Sequence, residues 1–331
     1  MKKLLTLIAT ATLLTGCGKV SSSSVETSAS DSSSTEVKEY DRSSLSIIAP
    51  TGAPALAFYN YANNSKFETN SNPAEGIIPQ MVTGKKDVVV LPTNAGVQAI
   101  INKKADYQIA ATITFGNFYL LSMNNDENKT LDANDKILLF QKGNVPDKVF
   151  HYVYGNAFDA NTYYVSAVSD AAAAVNAGQF VDSASGNNVV PNYVLLAQPV
   201  LQTILTKNAD KGYSVYADMQ AKYKEKENKA LFQASVFVKK SVNKDTAKSF
   251  LESLKKDINT AIANPDVINN TLKDVTEVQT VYGVAPAMAT AVTKNNNGMG
   301  LGFEYAKDNK AAVETFLKLF NIEGVDEEIY F

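Results

Sequence analysis

Cysteine and histidine are almost missing: Cys17 and His151 are the only examples in 331 residues. One of each cannot build a Cys/His zinc site, and no Ser-His-Asp or Cys-His set exists that does not run through His151. His151 lies in the helix-like apolar stretch Val149-Phe150-His151-Tyr152-Val153-Tyr154, which reads as a packing or hydrogen-bonding histidine. Glycine-rich phosphate loops of the GxGxxG or Walker type are absent, so nucleotide chemistry lacks support. Positive charge does not dominate either, with 31 Lys and Arg against 34 Asp and Glu. Nucleic-acid binding needs clustered Lys and Arg. The opening apolar run, Leu4 to Leu14, is too short to span a bilayer, which takes about twenty residues.

What that run does have is the form of a secretory signal. Met1-Lys2-Lys3 supplies a basic start, and small residues follow the apolar stretch up to Cys17. The junction Leu14-Thr15-Gly16-Cys17 resembles a bacterial lipobox. That resemblance implies cleavage after residue 16, a thioether-linked diacylglycerol on Cys17 and acyl chains such as palmitate. A lone thiol is otherwise a reactive nucleophile or a small buried hydrophobe; its position here favours lipidation. Residues 17–43 are Ser-rich and poor in aromatics. They read as a disordered tether that holds a folded body off the membrane. The expected location is the extracytoplasmic face of the cell membrane, anchored but not spanning.

Subtracting Lys2 and Lys3 from 31 basic residues leaves 29 against 34 acidic, a formal charge of −5. Hydrophobic residues make up 45%, which with the remaining length suits one large α/β body or two lobes. From Leu45 onward a unit recurs of apolar strand, turn and helix. The first is Leu45 to Ala49, the turn Pro50-Thr51-Gly52-Ala53, then a helix through Leu56, Tyr59 and Asn60. The second is Asp87 to Leu91, the turn Pro92-Thr93-Asn94-Ala95, then a helix bearing Val97, Ile100 and Ile101. Further strands fall at Tyr107–Ala111, Thr114–Ser122, Ile137–Phe140, Tyr163–Val168, Tyr193–Ala197 and Ala234–Val238. Continuous apolar runs indicate strands buried on both faces, as in parallel sheets. Ala247, Phe250, Leu251, Leu254, Ile258, Ala261 and Ile262 mark the clearest helix. Asn243 or Asp245 can cap it and Asn264-Pro265 stops it. The remainder to Phe331 reads as helices with loops.

The pattern predicts two α/β lobes, one interrupted by the other: 44–117 plus 234–331, and 118–233, with hinges near Asn117 and Gln233. Both Pro-Thr-X-Ala turns sit where a strand ends and a helix begins, which is where open α/β sheets bind ligands. Free helix N–H groups there suit an anion or polar acceptor. Thr51 and Thr93 add hydroxyls, and Gly52 lets backbone approach closely. The plainer reading of Pro-Thr is turn chemistry alone. Candidate ligand contacts are therefore Thr51, Gly52, Ala53, Thr93, Asn94 and Asn117, with Gly143, Asn144 and Gln198 at equivalent positions in the second lobe.

At these residues the chain resembles the substrate-binding proteins of ABC importers, in the sulfonate, taurine, nitrate and thiamine-precursor group. The resemblance rests on Ala49 to Pro54, the strand Asp87–Leu91, Gly116 to Leu120, Gly143 to Phe150 and Tyr193 to Pro199. It covers Leu45 to Ile262. The last motif ends Glu-Pro in that group, whereas Gln198 stands here. The resemblance implies a type II periplasmic-binding-protein-like fold, each lobe a mixed, mostly parallel sheet flanked by helices. It further implies a monomer without cofactor or metal that passes a small anionic or heteroaromatic molecule to a permease and ATPase. The rival readings are an extracytoplasmic sensor or adhesion lipoprotein without transport, and a pyrimidine-synthesis-type enzyme.

Overall fold

The computed structural model describes residues 40–124 and 130–331; the signal, Cys17 and most of the tether lie outside them. Thirteen strands occur among the described residues: β1 Ile47–Pro50, β2 Phe67–Asn70, β3 Val88–Pro92, β4 Tyr107–Thr114, β5 Phe118–Ser122, β6 Ile137–Phe140, β7 Thr162–Val165, β8 Phe180–Val181, β9 Asn188–Val189, β10 Tyr193–Ala197, β11 Ser214–Asp218, β12 Ala234–Lys239 and β13 Leu301–Tyr305. They form a six-stranded sheet in the order β13-β4-β12-β3-β1-β2 and a five-stranded sheet in the order β11-β5-β10-β6-β7. β8 and β9 make a small hairpin of their own.

Both sheets are mixed, and less parallel than the buried apolar runs suggest. β1 runs parallel to β2 and β3, and β6 runs parallel to β7 and β10. Antiparallel pairing enters where the chain returns. β12 comes back after the second sheet is complete and inserts between β3 and β4, antiparallel to both. β5 likewise enters antiparallel to β10 and β11.

Strand burial follows the period of two. In β3, Val88 and Val90 face one apolar layer with the helix Lys244–Ala263, while Val89 and Leu91 face another with the helix Thr93–Lys103. That second layer continues without a break to Leu120, Ile137, Leu139 and Leu195 of the five-stranded sheet. A third layer packs Leu138, Val194 and Leu196 against the helices Val168–Ala177 and Val200–Lys207. Each fully buried Val, Leu, Ile or Phe contributes about 1.5–3 kcal/mol, so these runs fix which residues become strands.

The helix Lys244–Ala263 forms as its apolar spacing requires. Ala247, Phe250, Leu251, Leu254, Ile258 and Ala261 are all buried, and the Asn243 side chain accepts from the N–H groups of Asp245 and Thr246. Two expectations need correction. The helix after the first Pro-Thr turn is a single turn, Ala53–Leu56, followed by a separate tight turn, Tyr59–Tyr61. The C-terminal region also contains the strand β13, which pairs antiparallel with β4.

Among the described residues no helix is long and apolar enough to cross a membrane.

Candidate functional site

The register places the predicted turns at one end of each sheet. Pro92, Ala234 and Thr114 form a row across three strands, so the turns after β3 and β4 emerge side by side. β1 lies next to β3 in parallel, which brings Thr51 and Gly52 to the same end. On the five-stranded sheet Ala197 pairs with Phe118, and Phe140 lies level with Val165. The corners at Gly143, Asn144 and Gln198 therefore gather at one end of that sheet as well. Chain passes between the two ends at residues 115–117 and 228–233.

These crossings are tightly built. Asn117 donates from Nδ2 to the Gln198 carbonyl at 2.9 Å, and its own carbonyl accepts from the Gln198 N–H at 2.9 Å. Gln220 Oε1 accepts from the Phe118 N–H at 2.7 Å. Gly116 and Gly300 both have positive φ, 94° and 67°. A Cβ on Gly300 would fall 1.9 Å from the Gly116 carbonyl oxygen, so the strand lead-ins touch backbone to backbone.

Most of the backbone amides expected to face a ligand are committed inside the protein. The Thr51 N–H donates to Asn70, Gly52 to Tyr282, Thr93 to Gln233, Asn144 to Gln141 and Gln198 to Asn117. Gly143 donates to Asp147 Oδ2 at 2.7 Å. The Thr93 hydroxyl is committed too. It lies 2.7 Å from the Ser235 hydroxyl, which is 2.8 Å from that of Thr112, in a fully buried chain that ties the start of the helix Thr93–Lys103 through β12 to β4. Thr93 is thus a brace between that helix and the sheet, and the expectation of a solute-facing hydroxyl is corrected there. Ala53 is buried at the start of its one-turn helix.

At the corners, Asn94 and Thr114 each keep a buried side-chain oxygen without a protein partner. Asn94, 8% exposed, has a buried Oδ1 that accepts no hydrogen bond. Thr114 Oγ1, at the end of β4, is buried and unpartnered as well. Gln198, also 8% exposed, accepts from the Gln202 N–H through Oε1 at 3.2 Å, which leaves its Nε2 for another acceptor. The Gln198–Pro199 peptide is cis and the following helix begins at Val200, so Pro199 precedes the first helical turn. Thr114 was not foreseen; its position at a strand end, just before Phe115-Gly116-Asn117, was the available signal.

Behind Gly143 lies a carboxylate, Asp147, with three hydrogen-bond donors. Asp147, buried in the first turn of the helix Val145–Tyr154, accepts from Gly143, from the Tyr164 hydroxyl at 2.9 Å and from His151 Nδ1 at 2.8 Å. Burial alone would push the Asp147 carboxyl up, but the three donors hold it below its ordinary value. The same bond to Asp147, against the effect of burial, raises His151. His151 Nε2 lies 3.1 Å from Asp159, so both ring nitrogens are occupied in a hydrogen-bonding role. Among the described residues no group of three or more His, Cys, Asp or Glu side chains could hold a metal.

Solved structures share this architecture. An ABC transporter protein from Parabacteroides distasonis superposes with a TM-score of 0.64 at 17% identity, covering 83% of this chain and 91% of that one. The periplasmic aliphatic sulphonate binding protein of Escherichia coli gives 0.57 at 12% identity, covering 83% and 85%. The ligand binding component of an ABC-type import system from Staphylococcus aureus, with zinc bound, gives 0.54 at 9% identity, covering 86% and 96%. No protein-family model matches the sequence, and comparison with curated proteins finds no match. The chain has the two-lobed α/β fold of ABC-importer solute-binding proteins.

Proposed function

We propose that this chain is an extracytoplasmic solute-binding lipoprotein that captures a small molecule between two lobes and presents it to an ABC permease. Lobe one takes 44–117 and 234–331, lobe two 118–233, and Cys17 carries the lipid. The observation that carries this reading is the gathering of strand-end corners from both sheets around two short crossings. Buried side-chain oxygens of Asn94 and Thr114 are left unpartnered at the end of the six-stranded sheet. A buried polar group without a partner costs about 1–3 kcal/mol, and a solute that supplies the partner recovers it. Closure about the crossings would desolvate the solute and shift the population of open and closed forms. No bond is made or broken.

A thermal-shift screen of small solutes tests the capture step, because a ligand that binds only the folded state raises Tm with its concentration relative to Kd. The expected result is saturable one-to-one binding without turnover. Chemical conversion of the bound compound would contradict the reading. Cys17→Ser is expected to release the protein from the membrane fraction; unchanged membrane association would remove the anchor.

A further inference from the structure

Two aromatic rings meet where the chain passes between the sheets. Phe115, in the first crossing, and Phe232, in the second, have ring centres 5.2 Å apart and planes at 80°. This is the edge-to-face arrangement that aromatic pairs favour. The crossings touch again beside the rings. Gln233 donates its N–H to the Thr114 carbonyl at 3.1 Å, and a Cβ on Gly116 would fall 2.8 Å from a Leu231 methyl carbon. On its other side the Phe115 ring rests on β13 at a residue with no side chain. A Cβ on Gly302 would come within 2.6 and 2.7 Å of two Phe115 ring carbons, closer than real side chains essentially ever sit. Gly302 is not among the glycines with positive φ, so the ring, not the backbone, excludes a side chain there. The Phe115 N–H also donates to the Gly300 carbonyl at 2.8 Å. A cavity of about 380 Å³ opens beside the pair, bounded by Phe115, Phe232, Gly302, Phe303 and, from the helix Lys310–Lys318, Ala312. A ring packed on every side has nowhere to turn; these two have space on one side.

Resting on the reading of a receptor that closes by hinge motion, we infer that Phe115 and Phe232, seated on Gly302, are the bearing of the hinge. They oblige the two crossings to turn as one, and the cavity is the space into which the rings swing. Two uncoupled segments would let the halves twist and slide as well as close, whereas coupled ones leave a single axis. None of the three residues belongs to the corners named for the solute. They act on capture through the balance of open and closed forms, since affinity follows the fraction of the competent form. A small displacement at a pivot grows in proportion to the distance from it, so the effect is read far from the rings.

Pulsed electron resonance on the ligand-free full-length chain tests the bearing. Spin labels are carried by Val82→Cys and Val190→Cys, both at exposed positions, in a Cys17→Ser background. Gly302→Ala sets a methyl against the Phe115 ring and is expected to shift the mean distance between the labels. Phe232→Leu keeps an apolar side chain but removes the ring contact, and is expected to broaden the distribution as the crossings move separately. Ala312→Leu fills the cavity with both rings in place and is expected to narrow it. Cooperative urea unfolding with an unchanged slope shows that each variant is folded. Distributions for Gly302→Ala and Phe232→Leu that superimpose on the parent would overturn the inference. Should Gly302→Ala fail to fold, Phe232→Leu, which adds no bulk, decides alone. Because no solute is present, the two readings fail separately: a solute screen without a binder defeats the receptor, and unchanged distances defeat the bearing.

Discussion

A carboxylate that accepts from a histidine, a tyrosine and a backbone amide at once couples loop position to pH. Asp147 does so beside Gly143 and Asn144. Its depressed pKa contributes stability that is present above the ordinary carboxylate value of 3.8 and lost as pH falls through the lowered one. The raised pKa of His151 contributes stability that is complete below 6.5 and lost as pH rises through the raised value. Tm is therefore expected to decline as pH climbs past the histidine range, and His151→Gln is expected to flatten that decline. An identical pH profile for both proteins, measured by calorimetry, would contradict a stabilising role for the Asp147–His151 pair. Thr51 and Thr93 separate in the same way. Thr93→Val breaks the hydroxyl chain and is expected to cost about 1 kcal/mol in urea unfolding without altering solute affinity. Thr51→Ala is expected to weaken binding with Tm unchanged. The local pattern Pro-Thr-X-Ala is the same at both sites. What distinguishes them is Ser235, a partner 142 residues away from Thr93, which no local spacing encodes.

Elements were legible in proportion to their burial. β1, β3, β6, β10 and β12 lie inside their sheets, covered on both faces, and their continuous apolar runs announce them. β2, β11 and β13 are edge strands, with sequences such as Phe-Glu-Thr-Asn and Leu-Gly-Phe-Glu-Tyr. An edge needs fewer apolar residues and tolerates charge, so the signal fades where the sheet ends. β7, also an edge, was readable through its Tyr163-Tyr164-Val165 run. The long helix Lys244–Ala263 was readable at its start as well as along its face. Asn243→Ala is expected to cost about 1 kcal/mol of global stability, read as a lower urea midpoint with the slope unchanged. A neutral effect would mean that the cap seen at Asn243 is replaced by solvent.

For the whole molecule, the α/β class and the corners at the strand ends followed from the order of strands and turns. The antiparallel return of β12 did not, because pairing direction depends on where a distant strand finds room. The corners were named from position alone, and position could not say that the N–H groups of Thr51, Gly52, Thr93, Asn144 and Gln198 would serve acceptors inside the protein. Solute capture is expected to draw the two sheet-cored halves together about residues 115–117 and 228–233. Cys17→Ser yields a cysteine-free chain, since Cys17 is the only cysteine. Spin labels can then be placed through Val82→Cys and Val190→Cys, at exposed sites beside the six-stranded and five-stranded sheets. With the tightest-binding solute from the screen, pulsed electron resonance is expected to give a shorter and narrower distance distribution than without it. Superimposable distributions at saturation would contradict the closing of one half upon the other.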